Sequence, residues 1–168
     1  MSLLRSIATV GGWTMGSRVL GFVRDILMAS FVGAGLVADA FFVAFKFPNF
    51  FRRLFAEGAF NAAFVPLFGE RLERDGMDSA RDFAGQAAAV LVSALLVFTL
   101  LAVATMPWLM YLIAPGFAGQ PDKFALTVEL TRITFPYLTF MAVIALLAGM
   151  LNTLQRFAAT AAAPILLN

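Results

Sequence analysis

Cysteine and histidine are both absent from the 168 residues. Without cysteine there are no disulfides and no thiolate metal sites. Without histidine the usual metal ligand and the usual neutral-pH acid or base are missing as well. No histidine-based triad can be built, and nothing supports a carboxylate pair such as Asp25 with Glu57 as a catalytic couple; the chain does not read as an enzyme. Charge is scarce too. Asp, Glu, Lys and Arg make up 13% of the chain, where an ordinary soluble domain carries about a quarter. The net charge of +2 is too small to suggest nucleic acid. No glycine loop of the G-x-x-x-x-G-K-S/T kind is present to cradle a nucleotide phosphate.

Apolar side chains fill the space that charge leaves, at 61% of the residues. A water-soluble chain of this length would have too few polar residues to cover its surface, whereas in a bilayer the length suits four or five helices of ~20 residues with short links. The expected fold is an all-α membrane bundle. It has four complete spans, at about 7–32, 38–68, 84–114 and 124–153, and the start of a fifth from about 157. The clearest is the third, because no charge occurs between Asp82 and Asp122. Gly76 breaks the polar stretch before it, Asp78 or Ser79 is placed to cap the helix that follows, and Pro115-Gly116 ends it. Pro136 is expected to kink the fourth span. The glycines and the charges of residues 7–25 do not suit a cleavable signal. The apolar stretch after Phe157 is too short to cross a bilayer, so the chain reads as stopping inside its fifth span.

Loop charges orient the bundle. Arg5, Arg71, Arg74, Arg81 and Arg156 fall on one side, and Lys123 alone on the other. By the positive-inside rule the amino terminus and the 70–82 loop are cytoplasmic.

The first two spans hold charges that a lipid-facing helix would not tolerate. Arg18, Arg24 and Asp25 lie in the first; Lys46, Arg52, Arg53 and Glu57 lie in the second, with Asp39 at its outer end. Each Arg, Lys or Asp near a helix centre costs ~2.5–3.5 kcal/mol on an insertion scale, and each Phe returns ~0.3–0.6. The ten Phe of residues 41–68 therefore return roughly 3–6 kcal/mol against about 10 for the four internal charges. These side chains must face protein or water. Helical geometry places Asp39, Lys46, Arg53 and Glu57 near one line, sets Arg18 and Asp25 on a shared face, and turns Arg24 about 120° from Arg18. A break at Gly21 would let both arginines point inward. Five positive groups against Asp25 and Glu57 make a cationic cluster, which suits an anionic substrate because guanidinium forks match phosphate oxygens.

Plainer readings stand beside this one. Lys46 and Arg53 can snorkel, Asp39 can be a helix N-cap, Glu57 can serve only as the i+4 partner of Arg53, and Glu129 and Arg132 read as interfacial. Trp13, Trp108 and Tyr111 read as interface anchors.

The stretch Ser17-Arg18-Val19-Leu20-Gly21-Phe22-Val23-Arg24-Asp25 resembles the first-helix signature of the MurJ (MviN) lipid II flippases. So do Asp39-Ala40-Phe41-Phe42-Val43-Ala44-Phe45-Lys46-Phe47-Pro48-Asn49 and Arg52-Arg53-Leu54-Phe55-Ala56-Glu57-Gly58-Ala59-Phe60. Gly149, Leu151-Asn152, Arg156-Phe157 and Ala163-Pro164 are similar to the junction of that family's fourth and fifth helices. The resemblance implies the amino-terminal part of a two-lobed transporter of the multidrug/oligosaccharidyl-lipid/polysaccharide exporter superfamily, in the bacterial inner membrane. By alternating access it would move lipid II, the undecaprenyl-diphosphate-linked peptidoglycan precursor, to the outer leaflet. Arg18, Arg24, Arg52 and Arg53 are then substrate-binding; Asp39, Glu57 and Asp25 serve gating or coupling. No cofactor is expected, the energy coming from an ion gradient or the membrane potential. The partners implied are lipid II, membrane lipids and the rest of the transporter. Two other readings are an exporter of another substrate, such as a cationic drug, and a non-transporting scaffold or pseudo-flippase.

Overall fold

The computed structural model describes residues 3–53 and 60–167, and among these every regular element is helical. The helices are α1 (Leu3–Val32), α2 (Leu36–Arg52), α3 (Phe60–Ala104), α4 (Met106–Ile113), α5 (Pro121–Thr134), α6 (Tyr137–Thr153) and α7 (Phe157–Leu167). Two stretches are long and apolar enough to cross a membrane, Phe60–Ala104 and the run Pro121–Thr153. Only 17% of the most apolar window of the first is buried, so it is not the covered core helix of a soluble domain.

The chain divides into two compact units. One comprises residues 1–33 with 147–168, the other residues 34–146. In the first, α7 packs along α1. The least exposed residues of α1 from Ser17 on, namely Ser17, Gly21, Met28 and Val32, fall on one stripe of the helix. The helix is continuous through Gly21, so the break that would turn both arginines inward is not there. It ends at Gly33, whose φ of 67° is the left-handed conformation a glycine adopts at no steric cost after a helix.

The second unit is built on the contact of α2 with α5. Ala40, Ala44 and Pro48 form the buried stripe of α2, and Lys123, Thr127 and Thr131 that of α5. Small residues at a spacing of four let two backbones approach closely. The hydroxyls on this seam are satisfied within α5: Thr127 donates to the Lys123 carbonyl at 2.7 Å and Thr131 to the Thr127 carbonyl at 2.6 Å. Asp39 meets Lys123, and five residues further on Ala44 meets Thr134, so the two helices run in the same direction.

Below the seam, Phe47, Phe51, Phe98 and Phe135 bring their rings to within 5.2–6.0 Å of one another. This cluster joins α2 and the end of α5 to α3. The order of the contacts Phe98–Phe135 and Val103–Arg132 shows that this part of α3 runs against α5. Leu95, Met106, Met110, Leu138 and Ala142 complete the core.

Glycine and proline interrupt α3 and the run after it. Gly76 has φ 85° and ψ −178° inside α3. The rings of Phe64 and Phe83 nevertheless stack 5.7 Å apart, where a straight helix would separate those residues by about 28 Å. The two arms therefore fold back on each other at Gly76, and Arg71 lies over the same Phe83 ring at 4.7 Å. The polar stretch 70–82, expected as a loop, is the turned end of two helices. The expected third span is also not one helix: it breaks between Ala104 and Met106, just ahead of Pro107. At Pro136, where a kink is expected, the helix is interrupted, which separates α5 from α6.

Each proline inside a helix strips the carbonyl four residues earlier of its amide donor. For Pro48 that carbonyl is Ala44, and the Thr134 hydroxyl donates to it at 3.0 Å. Pro107 stands in the first turn of α4 and brings no amide to the Val103 carbonyl at the end of α3, to which the Arg132 Nε donates at 3.1 Å. Two neighbouring residues of α5 thus replace two lost backbone bonds, as a low-dielectric surrounding requires. Arg132, read from sequence as interfacial, is a brace for α3.

Replacing Arg132 by Met in the full-length protein should lower stability by about 1 kcal/mol, the net contribution of one hydrogen bond, seen as a lower melting midpoint in detergent. Pro107→Ala, which returns the missing amide, should recover most of that loss. Thr134→Val and Pro48→Ala form the matching pair. A loss that the proline replacements leave unchanged would contradict the carbonyl account.

Candidate functional site

The charged groups expected to form a site fall in both units, and each unit has its own arrangement. On α1, Arg24 lies seven residues from Ser17 and so on the stripe turned toward the packed side, while Arg18 and Asp25 stand about 100° round from it. The Arg24 guanidinium bends to its chain neighbour: Nη2 is 2.9 Å and Nε 3.1 Å from Asp25 Oδ1. Asp25 therefore pairs with Arg24, although the helix puts it on the face of Arg18. Both side chains stay open, at 45% and 68% exposure. Arg18 is exposed and has no ion pair or hydrogen bond to any described residue.

On α2, Asp39, Lys46 and Arg53 recur every seventh residue, about 180° from the stripe of Ala40, Ala44 and Pro48 that packs on α5. Lys46 and Arg53 are exposed, so these two members of the line face away from α5, while Asp39 at its head turns to the Lys123 side chain. Arg52 is different. It is half-buried beside the aromatic cluster, and its Nε donates to Asn49 Oδ1 at 2.7 Å. Glu57 lies outside the described residues.

Asp39 does not cap its helix. Gly35 precedes α2, and Asp39 sits in the first turn. Its Oδ2 accepts a hydrogen bond of 2.6 Å from Lys123 Nζ, and that ammonium also lies 4.1 Å from the centre of the Phe117 ring. Lys123 was visible in the sequence only as a loop charge. The signal that it is more is the series Lys123, Thr127, Thr131, which sets polar residues on one face of an otherwise mixed helix.

The arrangement can offer cations to an anion without first breaking an internal pair. Arg18, Lys46 and Arg53 make no bond to a described side chain, and the Arg24–Asp25 pair is solvent-open, where such pairs are held by only ~0–1 kcal/mol. At membrane depth an uncovered Arg or Lys costs several times that, so these faces belong against water or protein.

Comparison with known proteins gives a consistent result. The family model described as lipid II flippase MurJ matches residues 28–168. The chain is 53% identical over its whole length to the "Probable lipid II flippase MurJ" of Rhizobium tropici, covering 32% of that protein. It is 54% identical to the protein of the same description from Rhizobium meliloti, again covering 32%. With the "Lipid II flippase MurJ" of Burkholderia cenocepacia it shares 42% identity, over the whole chain and 33% of the relative. The chain thus spans about a third of the length of the curated relatives it matches.

Single cysteines placed at Arg18 and Lys46, in a full-length protein otherwise free of cysteine, should react with a water-soluble maleimide in membranes. A cysteine at Leu100, 69% exposed on an uncharged face of α3, should not. Labelling at Leu100 as fast as at Arg18 would place both in the same medium and remove the case for a hydrated face.

Proposed function

The chain belongs to the lipid II flippase MurJ family, and from that premise we propose that it is the amino-terminal part of a transporter carrying lipid II across the bacterial inner membrane. The observation that carries the proposal is the exposed cations that pair with no described residue: Arg18 in one unit, Lys46 and Arg53 in the other. In the complete protein these residues, with Arg24 and Arg52, line a hydrated cavity. Arg18, Arg24 and Arg52 bind the diphosphate through charge-assisted, fork-like hydrogen bonds, and the polyprenyl tail stays in lipid. Asp39, Asp25 and Glu57 act in gating or coupling. An ion gradient or the membrane potential drives the alternation between the two sides.

The proposed topology has four complete spans and the start of a fifth, with the amino terminus and the turn at Gly76 in the cytoplasm. The parallel course of α2 and α5, and the opposite course of α3 between them, support it. So does the distribution of arginine.

An exporter of cationic drugs would need an acidic cavity, and the excess of Arg and Lys on these faces speaks against it. A membrane scaffold would need none of the unpaired charge. Depletion separates a scaffold from a carrier: loss of a flippase gives lysis with accumulated precursor, whereas loss of a scaffold leaves precursor levels alone.

Arg24→Ala in the full-length protein should abolish lipid II translocation while membrane insertion stays normal. Wild-type translocation by this variant would remove Arg24 from the substrate site.

A further inference from the structure

Lys123 occupies a position that opposes its charge twice. It lies in the first turn of α5, where the helix dipole presents its positive end and favours anions. Its residue is also only 8% exposed, and burial penalises an ammonium that lacks partners. Two partners offset this. Asp39 Oδ2 accepts its hydrogen bond at 2.6 Å, and the Phe117 ring lies 4.1 Å from Nζ, within cation–π range. The partners come from different parts of the unit: Asp39 from the first turn of α2, Phe117 from the short 3-10 turn Pro115–Phe117 that precedes α5.

The pair is lopsided. The Lys123 side chain is 10% exposed and that of Asp39 56%. One carboxylate oxygen is therefore held from inside, while the carboxylate as a whole stays open at the end of the unit where α2 and α5 begin. A free aspartate on a helix surface would sample several rotamers; this one is pinned by a donor that cannot itself reach the surface.

We infer that Lys123 is a positioning residue for Asp39, and that the functional group at this end of the unit is the Asp39–Lys123 pair with the carboxylate as its presented face. The inference rests on the reading of Asp39 as part of the transport machinery. It also gives that reading a direction. A carboxylate whose charge is already matched by a buried ammonium is poorly suited to capture a coupling cation, and well suited to accept a hydrogen bond from a neutral donor on an opposing element when a gate closes.

The test is made in the full-length protein, reconstituted in vesicles, with lipid II translocation measured per folded molecule. Asp39→Asn, Lys123→Met, Lys123→Arg and the double variant Asp39→Asn with Lys123→Met are compared at matched membrane levels. Asp39→Asn and Lys123→Met should each lose about tenfold or more, as expected when one partner of a sheltered pair is removed. The double variant should be no worse than the worse single, because both act through one group. Lys123→Arg should retain most activity. Phe117→Leu, which leaves both charges in place, guards against misfolding of Lys123→Met and should cost a few-fold at full membrane level. Full translocation by Lys123→Met beside a defective Asp39→Asn would overturn the positioning role and leave the reading of Asp39 standing. Losses that multiply in the double variant would also overturn it, since they would mean independent roles. Full translocation by Asp39→Asn would overturn the reading of Asp39, and the positioning role with it.

Discussion

The seam between α2 and α5 is the contact on which the larger unit depends. It is made of alanine, proline and threonine, so its strength lies in close approach and in hydrogen bonds that do not need water. The threonine hydroxyls fold back onto their own helix or cross to α2, and no bulky side chain separates the backbones. Everything placed nearby inherits this geometry: the aromatic cluster under it, the Asp39–Lys123 pair at its head, and the charged line of α2 on the reverse side. A helix packed tightly along one stripe has little freedom to roll, so the direction of Lys46 and Arg53 is set by alanines on the opposite face.

Proline governs the same unit in a second way. In a medium without water each missing amide must be compensated inside the protein, and α5 does so for two other helices within its last turn. The compensation lets α2 carry Pro48 in its interior and α3 end before Pro107 with both carbonyls still bonded. It also gives Arg132 a role that composition alone disguises, since an arginine near a span boundary ordinarily passes for a headgroup anchor.

Much of this was legible in the residues. The all-helical class, the turn at Gly76 and the interruption at Pro136 follow from composition and from two residues with special backbones. The break before Pro107 was hidden by the long uncharged run around it, because hydropathy measures span length and is blind to a missing amide. The partner of Asp25 was out of reach as well: helical spacing gives the face of a side chain, whereas the choice of Arg24 over Arg18 is made by a flexible guanidinium reaching along the chain. The plainer reading of Asp39 as a cap does not hold, and its partner Lys123 could not be read from the sequence because it is 84 positions away. Only tertiary contact joins them.

The fold-back at Gly76 bears on how such a chain could enter a bilayer. Its leading arm is preceded by the charged stretch around Lys46 and Arg53, and alone that stretch is a poor candidate for partition into hydrocarbon. The trailing arm is uncharged from Phe83 onward. Joined by a single left-handed glycine, the two form a helical hairpin whose rings at Phe64 and Phe83 already touch. The arms can therefore be transferred together, the uncharged one offsetting the deficit of the charged stretch that leads into its neighbour.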